Sequence, residues 1–172
     1  DVATGNIGGV SNVSKFGYNP SISATAFESI WEGSNMYPWQ TVADQLEVLS
    51  SSANDTSAGT GARTVELEGL DSSWNILTET VTMNGTTAVT TTGSFLRIFR
   101  ARVVTAGSTL INDGDITIRD QDTSTTRAII TNSTGKSMGQ TLMAVYTIPA
   151  GKTAYLKNMN FYKKLNPRQA RG

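Results

Sequence analysis

The chain has 172 residues and no net charge, and 38% of the residues are hydrophobic, which suffices for one buried core and predicts a single domain. It contains neither cysteine nor histidine, which excludes disulfides, thiolate or histidine metal sites, and catalysis with histidine as the base. No run approaches the roughly 18 apolar residues of a membrane span, so membrane insertion is not expected.

The amino-acid composition favours strands over helices. Thr, Ser, Gly and Asn are abundant, whereas Lys, Glu and Leu are sparse. Threonine is common in strands, and Gly, Asn and Ser are common in the turns between them. The composition therefore predicts an all-β fold.

The first 20 residues, DVATGNIGGVSNVSKFGYNP, are rich in glycine and lack sustained periodicity. Residues 13–18 are the only short strand candidate within them. Ordering such a segment alone costs backbone entropy, so we expect an extended arm that lies on the body or on a neighbouring subunit.

Aromatic residues concentrate in the polar stretch 21–40. Trp31, Tyr37 and Trp39 form either a lid over one end of the core, which is the favoured interpretation, or an exposed contact surface such as a glycan platform. Glu28 and Glu32 lie four residues apart, but without a cleft such carboxylates are usually solvated, and we expect no catalytic pair.

The stretch 61–104 has the strongest strand pattern and predicts a β-meander of three runs. Val65 and Leu67 alternate with polar residues in the first run, and Asn84-Gly85 is a turn signal after the second. The third run, 95–103, is apolar on both faces for part of its length. It is predicted to be central or to meet a partner, with three candidate subunit contacts: Leu96, Ile98 and Phe99.

Further strands are predicted at 45–52, 116–119, 127–131, 140–148 and 153–162. The total is eight or nine strands without helices, which favours an antiparallel two-sheet sandwich of the jelly-roll type over residues 21–162. The loop 53–62 lacks the residues of a phosphate loop, and 112–115 lacks the late glutamate of a calcium loop. No metal or other cofactor is expected.

The charge is unevenly distributed. Residues 1–156 hold 9 basic and 14 acidic residues, whereas residues 157–172 hold five basic residues and no acidic one. Residues 163–172 are therefore predicted to be a basic tail. The tail is either solvated or docks on an acidic neighbouring subunit, and the candidate contacts are Lys163, Lys164, Arg168 and Arg171. Nucleic-acid binding is not expected, because the tail has few aromatics and the body is acidic.

Several strings resemble a family of virion structural proteins of tailed phages, especially phages of marine bacteria and cyanobacteria. The strings are SKFGYNP (14–20), IWEG (30–33), VELEGLDSSWN (65–75), SFLRIFRARV (94–103) and QTLMAVYTIPAGKTAYL (140–156). They span most of the chain, and none is a catalytic motif. Similar proteins continue with more strands after AYL, so we expect either a sheet that another subunit completes or a truncated sequence.

The resemblance implies a jelly-roll-like protein on the virion surface. Its expected partners are further copies of itself, most simply in a homotrimer, and the major capsid protein or other virion proteins. The predicted function is non-enzymatic decoration or cementing of the capsid. The alternative is a fibre- or tail-associated adhesin that binds a host-surface glycan.

Overall fold

The computed structural model describes residues 8–132 and 139–163. Over these ranges the chain is all-β and contains no helix. Seven strands form: β1 (Asp44–Ser50), β2 (Ala62–Leu70), β3 (Ile76–Thr82), β4 (Val89–Phe95), β5 (Arg97–Ala106), β6 (Ile116–Asp120) and β7 (Thr126–Ile130).

The strands form two antiparallel sheets. One has four strands in the order β4-β1-β6-β7, and the other has three in the order β3-β2-β5. One apolar core draws on both sheets, with Leu46 and Val48 from β1 and Val65 and Leu67 from β2 at 0% exposure. Burying each such side chain stabilises the fold by about 1.5–3 kcal/mol. The predicted antiparallel two-sheet sandwich is confirmed, and its jelly-roll topology stays a prediction.

The predicted meander is wrong in its strand order. The third run, β5, pairs with the first run, β2, and places Ala101 opposite Leu67. The central strand of this sheet is therefore β2. The sequence pattern also missed β4, which lies between the second and third runs and pairs with β1 in the other sheet. In β4 only Val89 and Phe95, at its two ends, are large apolar residues, so its alternation signal is weak.

The predicted strand 140–148 has a buried face but no ladder. Met143 is 1% exposed and Val145 is 5% exposed, and both belong to the core. Pairing with β5 is limited to a single bridge between Arg102 and Gln140. Beyond this bridge the backbone contacts irregular segments, and the Ala144 N–H donates to the Ile30 carbonyl at 2.9 Å. The alternating pattern therefore reports burial rather than strand pairing.

The other two predicted strands do not form. Residues 13–18 lie outside any sheet, and Lys15 is the only residue of 8–18 that is not exposed. Residues 153–163 have no regular structure, and every one of them is exposed. The described part of the chain therefore has seven strands instead of the eight or nine expected.

Candidate functional site

Trp31 and Tyr37 pack into one end of the core, each 4% exposed. Their rings meet edge to face, with centroids 5.1 Å apart. The Tyr37 hydroxyl donates to the Ile98 carbonyl at 3.3 Å, and the Trp31 Nε1–H donates to the Asn35 carbonyl at 3.1 Å. Burial also raises the pKa of Tyr37. These two aromatics form the lid that the sequence favoured, and they are not available as a glycan platform.

Trp39 is 48% exposed, and its ring meets the Tyr37 ring edge to face, with centroids 4.9 Å apart. The Arg97 guanidinium carbon lies 5.4 Å from the Trp39 ring centroid and 5.0 Å from that of Trp74. Arg97 also donates to the carbonyls of Gln40 and Leu96. The guanidinium thus contacts two half-exposed indoles. Trp74 lies in the string VELEGLDSSWN of the virion resemblance, and no local sequence pattern pairs it with Trp39.

The candidate contacts at the start of β5 and in the residue just before it are buried within the chain itself. Leu96 is 7% exposed, Ile98 1% and Phe99 3%. Ile98 lies in the central core. Phe99 lies where the pairing of β5 with β2 shifts register, between Glu68 and Gly69. Its ring packs on the Tyr146 ring, with centroids 4.9 Å apart. These side chains have almost no exposed surface with which to meet a neighbouring subunit. The apolar second face of β5 is covered by the chain's own irregular segments.

Of the four predicted basic contacts, only Lys163 lies within the described residues, and it is exposed. Lys164, Arg168 and Arg171 lie outside them.

The segment 153–163, called the C-terminal segment below, exposes a set of large apolar side chains. The exposed fraction is 61% or more for each of them: Tyr155, Leu156, Met159, Phe161 and Tyr162. Two lysines, Lys157 and Lys163, lie among them and are exposed as well. This stretch therefore combines apolar surface with positive charge.

An open cleft of about 400 Å³, called the Lys15 cleft below, lies between the N-terminal segment (residues 12–16), β5 and residues 140–146. The Lys15 Nζ donates to the Phe99 carbonyl and lies 5.9 Å from the centroid of the Phe99 ring. Burial, together with the nearby Arg100, lowers the pKa of Lys15 to about 8, against the opposing effect of Glu68. The cleft thus holds a lysine whose positive charge is poorly solvated.

Glu32 is buried rather than solvated, contrary to the expectation for the Glu28 and Glu32 pair. It is 8% exposed and accepts hydrogen bonds from the Leu142 N–H and the Thr131 hydroxyl, each at 3.0 Å. Burial raises its pKa above the ordinary value. Its role is to fasten the 139–144 segment to the aromatic lid.

The acidic turn after β5 supplies hydrogen-bond donors rather than metal ligands. Backbone N–H groups of Asp113 and Gly114 donate to the buried Asp55 carboxylate at 2.8 and 2.9 Å. Across residues 8–132 and 139–163, no three acidic side chains are grouped closely enough to hold a metal ion. The same residues include no helix long and apolar enough to cross a membrane.

Comparison with known proteins finds no matching family model, no matching curated protein and no matching solved structure. The virion resemblance therefore stays a prediction from the sequence strings.

Proposed function

We propose that the protein is a non-enzymatic structural protein of a tailed-phage virion that decorates or cements the capsid and associates with further copies of itself. The observation that carries this proposal is the C-terminal segment. Soluble monomers rarely expose contiguous apolar surface of this kind, and such surface usually marks an interaction site. An extended segment with exposed aromatic residues at its end suits a protein whose neighbours cover it.

The sequence pattern of the segment suggests how a neighbour would bind it. Tyr155, Met159 and Phe161 share one face of an extended chain, because side chains alternate with a period of two. A segment of this pattern that lacks a sheet in its own subunit can add to the sheet edge of another. This would account for a strand that the sequence predicts but the single chain does not form.

Charge supports the same interaction. The C-terminal segment contributes Lys157 and Lys163, whereas residues 1–156 carry a net charge of −5. Opposite charges steer two such surfaces together, and each exposed pair adds up to about 1 kcal/mol. The adhesin alternative has less support, because two of its three predicted platform residues, Trp31 and Tyr37, are buried.

The test compares the wild type with a triple variant, Tyr155→Ser with Met159→Ser and Phe161→Ser. Sedimentation equilibrium should show an oligomer for the wild type and a monomer for the variant, with the same melting temperature when both are compared as monomers. Phe27→Ser is a matched control, because Phe27 is a 94% exposed aromatic residue elsewhere in the chain. A monomeric wild type, or a triple variant that still associates, would contradict the proposed self-association.

Attachment to the virion needs a separate measurement. Particles stripped of the protein should rebind the wild type, and rebinding should weaken as salt shortens the Debye length from about 10 Å at 0.1 M to about 3 Å at 1 M. Replacing Lys157 and Lys163 with Ser should reproduce the high-salt result at low salt. If the wild type does not bind particles at all, the virion role is wrong even if the protein forms oligomers.

A further inference from the structure

Two cations line the Lys15 cleft, the Lys15 ammonium and the Arg100 guanidinium. The Lys15 ammonium has three N–H donors, and its hydrogen-bond partner among the described residues is the Phe99 carbonyl. Arg100 is exposed, and its hydrogen bond is to Gln140 Oε1 at 3.2 Å. Neither cation takes part in the ion pairs of the described residues, although Glu68 lies opposite Arg100 in the register of β2 and β5.

The two cations also repel each other. Arg100 is the second cause, after burial, of the lowered pKa of Lys15. With Glu68 included, the three charged groups that line the cleft sum to one positive charge. A ligand with a single negative charge between Lys15 and Arg100 would relieve the repulsion and neutralise the cleft. A doubly charged phosphate would instead add repulsion with Glu68.

The remaining walls are of a kind that binds sugar rings. Amide and hydroxyl side chains can donate to and accept from sugar hydroxyls, and aromatic rings cover the apolar face of a pyranose. Phe16 is 73% exposed and offers the freest ring. The neutral polar residues of the lining are Asn12, Ser14, Gln140 and Thr141. The volume of about 400 Å³ is within the ordinary range of small-molecule sites.

We infer that the Lys15 cleft binds an acidic saccharide, with the sugar carboxylate between the Lys15 ammonium and the Arg100 guanidinium. The binding is non-covalent and leaves the ligand unchanged. The cleft is separate from the C-terminal segment, so this inference does not rest on the proposed virion function. The two can fail independently, because sugar binding and subunit association are measured separately.

The test uses galacturonic acid, which carries one carboxylate, as the probe and its methyl ester as the uncharged counterpart, with binding followed by NMR titration. The wild type should bind the acid saturably at millimolar concentration and the ester much more weakly. Arg100→Gln should weaken binding of the acid roughly tenfold or more, because it removes a charged hydrogen-bond donor to the carboxylate.

Arg102→Gln is the matched control. Arg102 lies two residues along the same strand and is exposed, but it pairs with Glu66 at 2.8 Å and does not line the cleft. It should leave binding unchanged. Lys15→Met is a second variant and should also lose binding, although it can loosen the N-terminal segment. Arg100→Gln therefore tests the cleft without that complication.

Binding should also weaken as the pH rises through about 8, the pKa of Lys15 in the free protein. A carboxylate ligand needs the protonated ammonium. The other titratable groups that face Lys15 are Glu68 on β2, Arg100 on β5 and Tyr146, whose pKa is raised by burial. Tyr146 stays neutral over this range, because burial raises its pKa further above 10. Lys15→Met should remove the pH dependence of any residual binding.

Three results would overturn the inference. The first is the absence of saturable binding of galacturonic acid at millimolar concentration. The second is equal binding of the acid and the ester, or an equal effect of Arg100→Gln and Arg102→Gln. The third is displacement of the probe by inorganic sulfate at equal concentration, which would show that the cleft holds any small anion rather than a saccharide.

Discussion

Arg127 contacts both carboxylate oxygens of Asp120 at the end of the four-stranded sheet. The Arg127 Nε–H donates to Oδ1 at 2.7 Å, and its second arm reaches Oδ2. The two residues are 8% and 3% exposed, so this is a buried ion pair with paired hydrogen bonds. Arg127 also donates to the Pro38 carbonyl, so the pair ties the aromatic lid to the edge strand β7.

Replacing Asp120 with Asn should therefore be costly. The change leaves the buried Arg127 charge without a counter-ion, and removing one partner of a buried pair destabilises by about 3–5 kcal/mol. The control is Glu47→Gln, which breaks the more exposed pair of Glu47 with Arg119 and should cost about 0–1 kcal/mol. Urea unfolding of both variants measures the loss in free energy of unfolding. Equal losses in the two variants would contradict a larger contribution from the buried pair.

The fold class was predictable because it depends on local patterns. Alternation in β1, β2 and β6 places one face in the core, and these strands form where the sequence predicts them. The strand order was not predictable in the same way. The chain leaves one sheet at Phe95 and enters the other at Arg97, with only Leu96 between them. A one-residue crossover leaves no turn signal that periodicity can detect.

The candidate sites depend even more on tertiary contacts. Trp31 and Trp39 lie in the same polar stretch, 21–40, yet their exposed fractions are 4% and 48%. The Lys15 cleft joins the N-terminal segment to residues 140–146, which are far apart in the chain. No spacing rule connects them. The only local signal is that Lys15 is the single basic residue among the first 62.

Asp55 holds two loops and a strand together from a fully buried position, with 0% exposure. Its carboxylate accepts hydrogen bonds from the Ser50 hydroxyl at 2.5 Å and from the Ala62 N–H at 2.6 Å. The Asp113 and Gly114 N–H groups add two more. In Asp55→Asn an NH₂ group would face donors, and each unsatisfied buried group costs about 1–3 kcal/mol. We expect thermal unfolding to shift down by several degrees or more.

Asp113→Asn is the control for Asp55, because the Asp113 side chain is only partly buried and accepts one bond, from the Asn54 amide at 2.6 Å. It should leave the melting temperature nearly unchanged, as is usual for surface substitutions. An Asp55→Asn protein as stable as this control would show that the four hydrogen bonds matter less than their geometry suggests.

Glu32 should make stability depend on pH. Burial raises its folded pKa above 4.5, with Asp115 as a smaller cause, so the folded protein binds a proton more tightly than the unfolded chain. Stability contributed by that proton is present below pH 4.5 and is lost as the pH rises to the folded pKa. Glu32→Gln removes this titration, and replacing one accepting oxygen with an amide nitrogen changes the hydrogen bonding by an amount that does not depend on pH. Its free energy of unfolding, relative to wild type, should therefore rise across that window and then level off.

The measurement for Glu32 is urea unfolding of wild type and variant at matched pH values, because other carboxylates cancel in the difference. Glu28→Gln is the control for the amide substitution itself, because Glu28 is less buried than Glu32. A difference that stays flat through the window, or falls with rising pH, would contradict the assigned cause.

The two tryptophans of the lid region should respond differently to truncation. Trp31→Ala empties a core site and should cost about 3–5 kcal/mol. Trp39→Ala removes a half-exposed ring with its contacts to Arg97 and to the edge of the Tyr37 ring, so it should cost less, about 2 kcal/mol. Chemical denaturation of both variants measures the two losses in free energy of unfolding. If Trp39→Ala costs as much as Trp31→Ala, Trp39 is part of the core, and the exposed arrangement with Arg97 and Trp74 is not what holds that end of the sandwich.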